Sequence, residues 1–172
     1  MTCQLPLRRR IAITWPMPLH DSPGRARTGA PLPDAGTGRS ANDRDFMAML
    51  GRYRTSGGLA RAAEVTACLE RRLGRDAGLL ARWRTERRVM CFEWQAQLWL
   101  PRFQFAHANV LPNPAVRLAL AELSSAFDDL EMAQWFCAPN SALDGRAPVD
   151  ALGERPAEVL EAARADRCAA SA

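Results

Sequence analysis

The sequence predicts a mainly α-helical chain with one small β-hairpin, on three observations. Between residues 46 and 172 the apolar residues recur mostly at helical spacings. One stretch, "RVMCFEWQAQLWLPRFQF" at 88–105, breaks that period with a run of Val, Phe and Trp. Prolines 114, 148 and 156 stand where first helical turns accept them.

Length and charge set the outer limits. A chain of 172 residues holds one ordinary domain or two very small ones. All 23 basic residues are Arg, which a GC-rich coding bias explains most simply. The net charge of +4 hides a segregation. Residues 1–45 carry seven Arg against four acids, residues 46–105 eleven against five, and residues 106–172 five against ten. The middle could face a polyanion and the last third could not, which suits a protein with two roles.

Five cysteines are scattered without a CxxC pair, and neither His20 nor His107 lies at ligand spacing from one. That pattern argues for reduced thiols in a cytoplasmic protein, with no metal and no cofactor. No apolar run approaches the roughly 20 residues of a membrane span. The opening "RRRIAITWPMPLH" imitates a signal sequence, but Pro16 and Pro18 break its short apolar part.

Three regions follow. Residues 1–45 hold six of the twelve prolines and no period, and read as a disordered leader, or as sequence upstream of a true start at Met47 or Met49. Residues 46–105 begin with a helix face of Phe46, Met49, Leu50 and Tyr53, closed by Arg54 and Gly57-Gly58. A helix over 59–73 ends at Gly74. A second, over 76–86, is capped by Asp76 and carries Leu79, Leu80 and Trp83 on one stripe. A hairpin then pairs 89–94 with 97–105, and Pro101 should put its second strand at an edge or end it early. Helix, turn, helix and hairpin is the order of a short winged helix-turn-helix unit. Its candidate DNA contacts are Arg75, Arg82, Arg84, Arg87 and Arg88, since guanidinium groups neutralise phosphates and read guanine edges. The plainer explanation of these arginines is a solvated helix face, and Trp83, Trp94 and Trp99 suit a core.

Residues 106–172 read as all helical. Asn113-Pro114 open a helix whose Val116, Leu120, Leu123 and Phe127 share a face. Asp128-Asp129 start the next, with Leu130, Ala133 and Phe136 or Cys137 inward, and Pro139 stops it. Asn140 to Gly145 turn the chain, Asp144-Gly145 supplying the left-handed step. Pro148 opens a short helix that closes near Gly153. Pro156 opens the last, with Glu158 near its start and Arg164 and Arg167 near its end, as the helix dipole favours.

"FQF" at 103–105, "WF-APN--L-GR-P-D-L" at 135–152 and "P-EVL-AA" at 156–163 appear in that order. This arrangement resembles the toxin-binding domain of the Xre/MbcA/ParS antitoxin family over residues 89–168. The matching positions are Phe103, Gln104, Phe105, Trp135, Pro139, Asn140, Leu143, Gly145, Pro148, Leu152 and Val159. The resemblance implies a type II antitoxin that covers the active site of a RES-type, NAD-consuming toxin and regulates its own operon through a helix-turn-helix. It also implies a homodimer or a toxin–antitoxin hetero-oligomer. Candidate toxin-binding residues are Asn140, Leu143, Gly145, Arg146, Pro148, Arg164 and Arg167, with Arg146 foremost because a short turn holds its charge. The alternative is a DNA-binding transcriptional regulator whose C-terminal helices serve only dimerisation. An enzyme is poorly supported. Asp128 with Asp129, or Glu122 with Asp128, could be named as acid–base pairs, but helix caps and exposed faces explain them. Cys137 has no histidine nearby in sequence.

Overall fold

The computed structural model describes residues 36–74, 78–106 and 110–171, with side chains from Asp43 onward. Residues 1–35, and with them most of the expected leader, lie outside the described residues, as do Asp76 and His107.

Helix α1 (Gly36–Arg52) begins ten residues before the expected start of order at Phe46. It turns Phe46 and Met49 into the core, together with Tyr53 of the 3-10 turn that follows. Gly57 ends that turn at φ 100, and a Cβ there would meet the Cβ of Arg102 at 3.3 Å. Strand β1 (Leu59–Arg61) comes next and corrects the helix expected to start at 59. Three residues are too few to display a period of two, so the strand had no sequence signature. Helix α2 (Ala62–Leu73) then buries Val65, Cys68 and Leu69 and ends on a left-handed Gly74. Helix α3 (Leu79–Thr85) buries Leu80 and Trp83.

The hairpin is real but shorter than expected. Strand β2 (Phe92–Trp94) pairs antiparallel with β3 (Gln97–Pro101). Gln95 and Ala96 between them both take positive φ, at 49 and 55, the handedness that lets a two-residue turn follow the strand twist. The sheet order is β1-β3-β2, so β3 is central, not an edge. Pro101 is tolerated because it is the last residue of its strand; beyond it Arg102 N–H donates to Gly58 O at 3.0 Å. Residues 102–104 leave the sheet as a 3-10 turn. The buried Gln104 side chain takes over the pairing. Its Nε2 donates to Met90 O at 3.0 Å and its Oε1 accepts from Met90 N at 2.9 Å.

Helix α4 (Pro114–Leu123) is capped by the Asn113 side chain, which accepts from Ala115 N at 3.0 Å. Helix α5 (Asp129–Cys137) starts in a full capping box, Asp128 with Glu131. Its inward row is Met132, Ala133, Phe136 and Cys137; Leu130, expected inside, is 39% exposed. Helix α6 (Pro148–Ala151) and helix α7 (Pro156–Ala170) follow, and α7 lies along α4.

The described residues form one compact unit. Its apolar core runs without a break from Phe46 and Tyr53 through Phe92 and Phe103 to Phe136, Leu143 and Ala163. The expected boundary at 105/106 therefore passes through a shared core. Tyr53 and Phe103 stack at 5.6 Å, Phe103 meets Phe136 at 5.0 Å, and Tyr53 Oη donates to Ala133 O at 2.6 Å. Such a buried bond contributes about 1 kcal/mol net, and losing it costs more because Ala133 O stays desolvated.

Candidate partner and nucleic-acid surfaces

The corner at 135–152 is built around Asn140. Its side-chain oxygen accepts from Ala142 N at 2.9 Å, starting a 3-10 turn at Ser141–Leu143, and its backbone exchanges bonds with Gly145 and Arg146. Asp144 and Gly145 complete the reversal at φ 58 and 76. Nothing lies within 4 Å of a Cβ built on Gly145, so the left-handed backbone, not close approach, selects glycine there. Asp166 of α7 then ties the corner down. One of its carboxylate oxygens accepts from both Trp135 Nε1 and Asn140 Nδ2, each at 2.7 Å. Hydrogen bonds to a carboxylate are worth more than neutral ones, so this fork fixes α5, the turn and α7 as one body.

This arrangement sorts the candidate toxin-binding residues. Leu143 is fully buried and Pro148 is also buried, so both shape the corner from within. Arg146 is folded back, with Nη1 on Glu154 at 3.1 Å and Nη2 donating to Asp150 O at 3.0 Å. Arg164 reaches Glu122 of α4 at 3.0 Å and Glu161 at 2.7 Å, and Arg167 lies 3.5 Å from Glu122. Arg155 bridges Asp144 and Glu158, which raises its own pKa and holds the Glu158 carboxyl below its ordinary value. What stands open is the tip: Ser141, Ala142, Asp144 and Gly145 are all exposed.

The candidate DNA contacts spread over the end of α3. Arg82, Arg84 and Arg87 are exposed, whereas Arg75 lies outside the described residues. Arg84 sits 3.9 Å from Asp129, and Arg88 pairs with Glu86 at 3.4 Å while covering the Trp83 ring at 5.8 Å. Arg84 and Arg87 line one wall of a groove of about 690 Å³ whose other wall is Ser124–Asp129. A phosphate entering that groove meets Asp128 and Asp129 across from Arg84 and Arg87, so the exposed Arg82, which does not line it, is the better placed of the three. The hairpin tip folds onto α1, with Gln95 Nε2 3.4 Å from Asp43 and Trp94 stacked on Phe46 at 3.8 Å. Trp83 is buried, and Trp94 and Trp99 pack on Phe46, so none offers a stacking platform.

Among the described residues no group of three or more His, Cys, Asp or Glu could hold a metal, and no helix is long and apolar enough to cross a membrane. Cys68, Cys91 and Cys137 are buried and Cys168 is exposed. Burial pushes the Cys91 thiol up to about 12, with Arg84 opposing and Asp129 assisting. Burial likewise raises Cys137 against the pull of Arg52, and raises the Tyr53 phenol well above its ordinary value. Groups held protonated in the fold contribute stability that is intact below their unfolded pKa and lost as pH rises toward the folded value. Urea unfolding should therefore show stability falling above about pH 8, where unfolded thiols begin to ionise. Cys91→Ala should flatten that fall, and iodoacetamide at neutral pH should reach Cys168 before Cys91 or Cys137. A flat profile between pH 8 and 10 would contradict the burial argument.

Two of the residues that organise these surfaces carried no clear signal. Asp166 read only as one more acid on an exposed helix. Gln104 belonged to a family pattern, yet nothing in the sequence showed that its amide replaces a strand. Comparison of the chain with family models, with curated proteins and with solved structures finds no match.

Proposed function

We propose that this chain is the antitoxin of a type II toxin–antitoxin pair, and that residues 106–172 neutralise a RES-type, NAD-consuming toxin by covering its active site. Residues 46–105 then form a winged helix-turn-helix unit that binds the operator of its own operon. One observation carries the first half: the residues that match the Xre/MbcA/ParS pattern come together as a single rigid framework. Phe103, Leu143, Leu152 and Val159 share its core, and Trp135 and Asn140 converge on Asp166. A rigid scaffold with an exposed turn tip suits an inhibitor that works by shape. The face we assign to the toxin is the tip Ser141–Gly145 together with the outer side of α7, while Arg146, Arg164 and Arg167 hold that face in shape.

The second half is supported by the element order α1, β1, α2, α3, β2, β3 with sheet order β1-β3-β2, and by the Arg excess of residues 46–105. The same observations favour a plain transcriptional regulator as the second reading.

Co-expression with a RES-type toxin encoded beside this chain separates the readings. Neutralisation should restore growth and cellular NAD, and Ser141→Arg with Ala142→Arg should abolish the rescue while leaving the circular dichroism spectrum unchanged. Retention of promoter DNA should weaken with salt at a slope of about −0.9 per phosphate neutralised, and Arg82→Ala with Arg87→Ala should flatten it. DNA retention without rescue selects the regulator. Rescue by the double Arg variant moves the toxin-binding face elsewhere.

A further inference from the structure

Helices α1 and α5 leave between them a groove of about 510 Å³, floored by Met49 and Cys137 and walled by Phe127 and Trp135. A smaller cleft continues it past Asp45, Met49 and Gln134 to Leu130 and Trp94. Met49, Cys137, Phe46 and Phe92 at its base are buried, while Phe127, Trp135 and Trp94 are only partly buried and Leu130 is 39% exposed. Large apolar groups lining one concave strip mark a binding surface more often than scattered ones do.

The rim says what the strip fits. Of the charged residues that line it, Asp45, Glu93 and Glu131 are acidic and Arg52 alone is basic, and all four side chains are exposed. A second copy of the same face would set carboxylates against carboxylates, which opposes self-association. We infer that the α1–α5 groove binds an amphipathic, basic segment of a partner polypeptide, whose apolar side chains fill the strip and whose Arg or Lys residues meet Asp45, Glu93 and Glu131. This surface is separate from the turn tip assigned to the toxin, and the inference does not rest on the antitoxin reading. A helix laid in a groove needs apolar residues at i, i+3 or i+4, and i+7, which matches a strip running between two helices.

The test uses the full chain and two synthetic, fluorescein-labelled helical peptides of about 16 residues, which span about 24 Å. Both carry leucines at helical spacing; one has arginines on the remaining face and the other glutamates. Anisotropy should show the basic peptide binding at least about 10-fold more tightly than the acidic one. Neutralising the rim with Asp45→Asn, Glu93→Gln and Glu131→Gln should remove most of that preference; glutamine at 131 still serves the helix cap. Ala48→Arg fills the groove from an exposed helical position and should abolish binding, with circular dichroism as the folding control. Equal binding of both peptides, or binding unchanged by Ala48→Arg, overturns the inference. So does a dimer of the chain that Ala48→Arg converts to monomer, since a second copy would then be the occupant.

Discussion

A chain ending at Gly153 is expected to lose its cooperative unfolding transition. The cut removes α7, and with it Val159, Ala162 and Ala163 from the shared core. It also removes Arg164 and Arg167, leaving Glu122 without either ion pair, and it takes Asp166 away from Trp135 and Asn140. The lost apolar burial alone is worth roughly 3–5 kcal/mol at 25 cal/mol per Å², and the underside of α4 is bared as well. Against a total of about 5–15 kcal/mol for a domain, that loss is decisive. Had residues 46–105 been an independent domain, they would have survived the cut. The core instead continues from Tyr53 and Phe103 into Phe136, so the defect should spread to both halves. A thermal melt followed at 222 nm should be broad for the truncated chain and sigmoidal for the full one, with dye binding to exposed apolar surface only in the former. A sharp melt in the truncated chain would show that the front half folds alone.

Local rules carried the sequence reading furthest. Asn113-Pro114, the Asp128 cap, Pro148, Pro156 and the left-handed Asp144-Gly145 step all work within three or four residues, where side-chain chemistry and backbone geometry are coupled. The hairpin was legible through its aromatic content, and its turn falls at Gln95-Ala96 as expected, although neither residue favours the left-handed backbone it takes there. Long-range polar contacts stayed invisible. Asp166 is 31 residues from Trp135 and 26 from Asn140, separations that leave no periodic trace. The same holds for Arg164 and Glu122, 42 residues apart, which is why an arginine suited to a partner is in fact spent within the fold. Leu143 and Pro148 were named as candidate contacts through the family resemblance; here the turn wraps both inward.

Gln104→Leu is expected to destabilise the protein by about 2–5 kcal/mol, since it strands two buried backbone groups at once. Gln104 is fully buried and serves Met90 as a neighbouring strand would, accepting from its N–H at 2.9 Å and donating to its C=O at 3.0 Å. Leucine nearly matches glutamine in volume, so packing is kept and the deficit isolates the hydrogen bonds. Met90 belongs to the same core as Phe103 and Phe136, so a gap at this point weakens the seam between the sheet and α5. Gln104→Glu supplies the control. A protonated carboxyl can both donate and accept in place of the amide, but a carboxylate cannot donate to Met90 O and is costly to bury. Burial therefore raises the folded pKa of the introduced acid above its unfolded value. Its stabilising contribution is complete below the unfolded value and is lost as pH rises through the folded one. Urea titrations should find the Glu variant close to wild type near pH 4 and well below it at pH 7, with the Leu variant low at both. Equal stability of Leu and Gln at position 104 would mean that Met90 satisfies its backbone without this side chain, and the seam would need another explanation.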